Sequence, residues 1–239
     1  MYVNGEARRV ARRTKEEAEG TRTRIVDAAE RVFRDKGVAH ASLEDVAAAA
    51  RVTRGAIYWH FKDKAELFEA MMRRVELPAQ ALMERAGAAG AANPLDMLRA
   101  SACEVLLRAA RDAQVRRVFE IAFHKCEYVG DAAGIRTRQL ENQSECLATI
   151  EQGIRDCIRK GLLPRAIDAK LAAHGAMAYV SGILYQWILN PESFSLERHA
   201  QTLVDTYFRG LEATPPRTRG RKATDERGKP RRTRRPAAA

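Results

Sequence analysis

The chain has 239 residues, 46% of them hydrophobic, which is enough to bury one or two cores and excludes both a peptide-sized scaffold and a chain disordered throughout. Its formal net charge of +11 is not evenly spread: residues 1–24 carry 7 basic and 4 acidic side chains, residues 215–239 carry 10 and 2, and the body between them carries 25 of each. A neutral body with cationic ends suits a polyanion, nucleic acid or membrane surface, because each Lys or Arg set on a phosphate releases a condensed counterion.

The amino end, MYVNGEARRVARRTKEE, has basic residues with no apolar stretch behind them, so no secretory signal is expected and a cytoplasmic location is. Residues 1–13 read as a flexible basic arm. Helix starts then recur: Thr14 with Glu17, Ser42 with Asp45 and Asp63 with Glu66 each pair a cap residue with an acid three positions later, and Asn93-Pro94 puts proline at the first helical position. Apolar residues follow at helical spacing, Ile25, Ala28, Ala29, Val32 and Phe33 in one segment and Leu43, Val46, Ala47 and Ala50 in the next. No sustained run alternates with period two, so the fold class is all-α. Breaks at Gly37, at 51–53 and at 61–63 make the first helices short, a compact module over 14–63. Longer helices are expected over 64–212, as a bundle broken at 87–94, 161–164 and 190–195. Residues 213–239 hold no large apolar side chain and are expected to be disordered.

An uncharged stretch from Ala172 to Leu189 touches the lower limit of a membrane span, but it contains His174, Gly175, Ser181, Gly182 and Gln186 and reads better as a helix buried between protein surfaces. No membrane partner is expected. Cys103, Cys126, Cys146 and Cys157 form no C-x-x-C pair and have no histidine at zinc spacing, and His124 has no second ligand at i+4, so no metal site is expected. No G-x-S-x-G, phosphate loop, H-E-x-x-H or dinucleotide fingerprint occurs, so neither catalysis nor a cofactor is expected.

Residues 42–61, SLEDVAAAARVTRGAIYWHF, comprise an apolar helix, a three-residue turn and a second short helix. Thr53 is a good N-cap, and Gly55 in the first turn costs about 1 kcal/mol relative to alanine while allowing close approach to another surface. With Arg54 before it and Tyr58, Trp59 and His60 after it, this pattern suits a helix-turn-helix whose second helix enters the major groove.

The stretches TRTRIVDAAERVFRDKG and TRGAIYWHFKDKAELF resemble the amino-terminal domain of TetR-family transcriptional repressors, in particular the AcrR/TtgR group that controls multidrug efflux, and the similarity extends through EIAFHKCEYVG and YVSGILYQWILNPESF. The resemblance implies an all-helical homodimer whose two recognition helices enter successive major grooves of a palindromic double-stranded DNA operator. On this chain Ser42, Thr53, Tyr58, His60 and Lys64 would hold phosphates, and Arg54, with Ala56, would read base edges. Trp59 and Phe61 read as core before contact. Where the family usually has glycine, at the end of the second helix, this chain has Arg51: either the turn differs or Arg51 is held by a phosphate. A long fourth helix after Lys64 would lead to a pocket for a bulky small-molecule inducer, with Glu76 as its carboxylate and Phe119 and Phe123 on the opposing wall. The last two helices would form the dimer interface. Two other readings are a redox-sensing repressor using Cys126 or Cys103 and an architectural protein binding DNA through its basic ends.

Overall fold

The computed structural model describes residues 3–75, 79–127 and 133–215. They form helices α1 (Val3–Lys36), α2 (Leu43–Ala50), α3 (Arg54–His60), α4 (Lys64–Met72), α5 (Ala79–Ala88), α6 (Pro94–Arg111), α7 (Ala113–His124), α8 (Ala133–Arg159), α9 (Ala169–Leu189) and α10 (Leu196–Glu212). No strand occurs among the described residues, in keeping with the all-α expectation. The tail from residue 216 lies outside them.

The caps read from the sequence stand where expected, with one exception. Ser42 Oγ accepts from Asp45 N at 3.1 Å while the Asp45 carboxylate accepts from Ser42 N at 3.0 Å, a complete capping box. Thr53 caps α3 through Ala56 N, Asp63 caps α4 through Glu66 N, and Asn93 caps α6 with Pro94 at its first turn. Each such cap contributes about 1 kcal/mol, a useful amount for helices as short as α2 to α4. The exception is Thr14, which lies inside α1 because the helix runs back through the expected arm to Val3. Arginine and alanine make up most of residues 7–13 in that stretch, and no proline interrupts it.

The expected long fourth helix is also corrected: α4 ends at Met72. Past it Arg74 N donates to Met71 O at 3.3 Å and Val75 N to Met72 O at 3.0 Å, so the α-helical pattern gives way to tighter turns before residue 76. The following α5 is likewise short, and a further interruption separates α6 from α7 at Asp112, whose carboxylate accepts from Gln114 N and Val115 N to start the new helix.

Ile25, Val26, Phe33, Val46, Ile57, Phe61 and Leu67 are buried together as α1, α2, α3 and α4 close on one another. This module sits on the bundle through two helix pairs, α1 on α7 and α4 on α8. Side chains tie the same seam: Arg117 Nε lies 2.7 Å from Glu30, Arg138 Nη1 is 2.7 Å from Glu69, and Arg108 Nη1 donates to the carbonyl of Val75 at 2.8 Å. Within the bundle α6 packs on α5, α8 and α10, and α8 on α9. Gly153 permits the α6–α8 approach, since a Cβ there would sit 3.0 Å from Leu98 Cδ2. No helix among the described residues is long and apolar enough to cross a membrane.

Arg51 keeps the left-handed conformation at the end of α2, with φ 56° and ψ 45°. Val52 N donates to Ala47 O at 3.0 Å and Arg51 N to Ala48 O at 3.2 Å, the paired bonds of a Schellman ending. Among the described residues Arg51 alone is a non-glycine with positive φ, which costs about 1–2 kcal/mol. Replacing it with glycine removes that strain but adds freedom to the unfolded chain. Arg51→Gly is therefore expected to raise stability by up to about 1 kcal/mol, read as a higher urea midpoint with an unchanged slope; a lowered midpoint would show that Arg51 is not strained.

Candidate DNA interface and ligand wall

The short helix α3 has one side committed to the core. Ile57 is fully buried and Phe61, one turn on, nearly so. Positions on the far side of the helix must then face out, and Arg54, Gly55, Tyr58 and Trp59 are exposed, with Arg51 and Thr53 beside them in the turn and Ala56 and His60 half-buried at the edge. Gly55 meets nothing of its own chain nearer than Thr53 Oγ1, 4.0 Å from where a Cβ would stand, so the surface is open to close approach. Phe61 is core as expected, but Trp59 is not: it is 73% exposed, because Ile57 and Phe61 already fill the only inward face. The Trp59 ring stands edge-on to His60 at 4.5 Å. Burial, then the nearby Arg22 charge, pushes the His60 imidazole below its ordinary value, so at neutral pH it presents a neutral N–H rather than a cation.

Two expected phosphate ligands are engaged within the fold. Ser42 Oγ donates to Asp45 Oδ2 at 2.9 Å besides serving as the cap. The Lys64 ammonium donates to the carbonyls of Ala39 and Ala41 at 3.1 and 3.0 Å, fastening the α1–α2 loop to the start of α4. Arg54 is also partnered: its Nε lies 3.1 Å from Glu44 Oε1, the Tyr58 hydroxyl is 3.5 Å from the same oxygen, and the guanidinium sits over the Tyr58 ring at 5.6 Å.

On α7, Phe119 and Phe123 stack with centroids 5.8 Å apart, both half-buried against the core. Tyr185 of α9 extends this surface, 6.2 Å from Phe123 and 4.4 Å from His124, whose Nε2 lies 3.2 Å from the Tyr185 carbonyl oxygen. His124 is thus a packed, hydrogen-bonded histidine. Sequence reasoning missed Tyr185, although it falls inside the YVSGILYQWILNPESF block. Glu76 lies outside the described residues, so the three expected pocket residues are not seen together. A cleft between α4 and α8, lined by Phe68, Glu69, Met72, Ile135, Arg138 and Asn142, has a cavity volume of about 10 Å³, room for one water and no larger guest. No group of three metal-ligating side chains occurs among the described residues.

Residues 25–71 match the model for bacterial regulatory proteins of the tetR family, and residues 93–213 match that for the C-terminal region of MAATS-type transcriptional repressors. The chain belongs to the TetR family of transcriptional regulators. It is 38% identical over 206 residues to the HTH-type transcriptional regulator TtgR of Pseudomonas putida, covering 86% of this chain and 98% of that one. Its fold superposes on NalD, the secondary repressor of the MexAB-OprM multidrug efflux pump in Pseudomonas aeruginosa, with a TM-score of 0.75 at 32% identity, covering 84% of this chain and 100% of that one. It is likewise similar to SmeT in a complex with triclosan, with a TM-score of 0.70 at 31% identity over 83% and 96% of the two chains; SmeT is the repressor of the Stenotrophomonas maltophilia efflux pump SmeDEF.

Three cysteines of this TetR-family chain, Cys103, Cys126 and Cys157, do not carry activated thiols. Burial raises Cys103, and raises Cys126 and Cys157 to about 11, so the nucleophilic thiolate is scarce near neutral pH. Asp45 is shifted the other way. The ammonium of Lys36, 2.6 Å away, and then the donors of Ser42 hold its carboxyl at about 2, against an ordinary 3.8. A carboxyl with a depressed value in the fold stabilises fully above its unfolded value and loses that contribution as pH falls through the folded one. Asp45→Asn is therefore expected to lower thermal stability at pH 5–7, with the difference from wild type shrinking between about pH 4 and pH 2; melting curves across that range test it, and a pH-independent difference would show that the charge is not what stabilises α2.

Proposed function

We propose that this TetR-family protein is a dimeric, cytoplasmic repressor that binds a palindromic operator and is released by bulky, cationic or aromatic compounds, controlling a multidrug efflux operon. The observation that carries the reading is the surface of α3, where Arg51, Thr53, Arg54, Gly55, Tyr58 and Trp59 are exposed together on a helix-turn-helix, above a bundle of the MAATS type. Arg54 reads a guanine, its fork matching O6 and N7. Thr53, Tyr58, Trp59 and His60 contact the backbone, while Ser42 and Lys64 set the position of α2 and α4; Lys64 reaches phosphate with its third donor, and Ser42 only by giving up the O–H bond it makes to Asp45. Arg51, exposed in the turn, adds a cation, and Gly55 and Ala56 let the helix seat deeply.

The stacked Phe119 and Phe123 form the apolar wall of the ligand site, Glu76 supplies its countercharge, and no catalytic group is required. The relatives support the two halves of this reading separately: NalD is a repressor of an efflux pump, and SmeT was solved with triclosan. Ligand and operator oppose one another because each favours a different arrangement of the module on the bundle, so the ligand weakens operator binding by the same factor that operator weakens ligand binding. The exposed row Leu171, His174, Ala178, Tyr185 and Leu189 on α9 supplies the dimer face.

Selecting bound sequences from random duplex tests the operator. A single palindrome held at least a thousandfold (~10³) more tightly than random duplex is expected at physiological salt, and Arg54→Ala should erase the preference at one guanine per half-site while Tyr58→Phe weakens all sequences alike. Titration with a cationic and a neutral dye of similar size tests the ligand site. Phe123→Ala should weaken both by about 1.5–3 kcal/mol, and Glu76→Gln should weaken chiefly the cationic dye; equal losses for Glu76→Gln would place that residue outside the site.

A further inference from the structure

Glu44 is an anion set among the groups proposed to meet DNA. It occupies the first turn of α2, where a carboxylate suits the helix dipole, yet Asp45 already completes the capping box there. Its carboxylate reaches across the turn to α3 instead, where a single oxygen lies 3.1 Å from Arg54 Nε and 3.5 Å from the Tyr58 hydroxyl. Stability does not account for the contact. The Arg54 and Glu44 side chains are 72% and 49% exposed, and ion pairs that open to solvent contribute about 0–1 kcal/mol. The guanidinium is also laid over the Tyr58 ring at 5.6 Å, so one carboxylate fixes the direction of both side chains.

On the reading of α3 as a recognition helix, we propose that Glu44 is a specificity-determining residue of the DNA interface. An ion pair made at Nε leaves the two Nη groups of Arg54, and these donors can meet guanine O6 and N7 without the pair being broken. A phosphate can accept from the same two Nη groups, but it is an anion that the Glu44 carboxylate repels, whereas the guanine edge is neutral and meets no such repulsion. The same carboxylate therefore costs affinity on any duplex and returns it only where a guanine stands opposite Arg54, so specificity comes from opposing the wrong partner as well as favouring the right one. Glu44 acts through Arg54 and Tyr58 and is a positioning residue.

Two variants of the full chain separate its effects, each measured on the selected palindrome and on random duplex over a range of salt. Glu44→Gln keeps the shape and removes the charge. Random-duplex affinity should rise about tenfold, the slope of log affinity against log salt should steepen by about one unit as one more cation becomes available to phosphate, and the ratio of palindrome to random binding should fall. Glu44→Asp keeps the charge but shortens the reach to Arg54; its salt slope should match wild type while preference at the contacted guanine relaxes. Equal gains on both duplexes for Glu44→Gln, with an unchanged sequence profile, would overturn the proposal and leave Glu44 as bulk charge. An unaltered profile in Glu44→Asp would overturn the positioning part. A wild-type chain that selects no palindrome would overturn the repressor reading itself, whereas a wild type that selects one while neither Glu44 variant departs from it would overturn this inference alone.

Discussion

Glu30 is the one charged side chain buried among the described residues, and its position constrains how the two halves of the chain meet. A carboxylate removed from water without a partner costs several kcal/mol, so Glu30 on α1 must keep its contacts on α7, Arg117 Nε at 2.7 Å and Gln114 Nε2 at 3.4 Å. This requirement is directional as well as energetic: the pair forms only if α1 and α7 keep one register, and apolar packing by itself allows more sliding than that. Arg117 remains 40% exposed, so the pair is shielded on the α1 side and wet on the other. Its value therefore lies more in fixing geometry than in net stability.

The other end of α7 is held too. The carbonyl of Lys125, just past its last turn, accepts from Val38 N at 2.8 Å in the loop between α1 and α2. Phe119 and Phe123 lie between these two anchors, so the proposed ligand wall and the module that carries α3 share a helix fixed at both ends. A guest that moves the phenylalanines cannot leave α1 and the α1–α2 loop where they were unless a bond at one end breaks. Lys64 extends the chain of contacts, since it grips the carbonyls of Ala39 and Ala41 in that loop and begins α4, which in turn packs on α8. Communication between the proposed ligand wall and α3 would have these discrete bonds as its route, and couplings between such sites are typically about 1–3 kcal/mol.

What could be read from the sequence follows the range of the interaction involved. Ser42, Thr53, Asp63 and Asn93 act on backbone groups two or three residues away, and their caps were legible for that reason. The stop in α4 has no such local mark, since neither glycine nor proline stands at its end at Met72, and the family resemblance implies a longer helix. Trp59 shows a different difficulty. Aromatic character favours burial in general, yet a seven-residue helix has one inward face, and the i, i+4 pair Ile57 and Phe61 was enough to predict that Trp59 points away. Lys64 could not be placed from spacing, because its acceptors lie 23 and 25 residues back along the chain. Glu44 carries no signal in the sequence beyond that of a first-turn acid, and only the approach of α3 gives its charge a second use.

The uncharged stretch in α9 illustrates how far composition can be taken. Ala172, Ala173, Ala176, Leu184, Trp187 and Ile188 are buried against neighbouring helices, while Leu171 and Leu189 remain 71% and 70% exposed. Lipid would need apolar residues all round the helix; here one side is already occupied by protein, with the Tyr207 hydroxyl of α10 donating to Ala172 O at 2.7 Å. The remaining face runs through Leu171, His174, Ala178, Gly182, Tyr185 and Leu189 at coiled-coil-like spacing, and Gly182 leaves open space for a helix to come close. A second copy docked there would be subject to a strict requirement, because two recognition helices reading half-sites about one turn of DNA apart must be held roughly 34 Å from each other. An uncharged apolar seam would meet that requirement better than a polar one: its strength would not vary with salt, whereas that of the phosphate contacts proposed for α3 would.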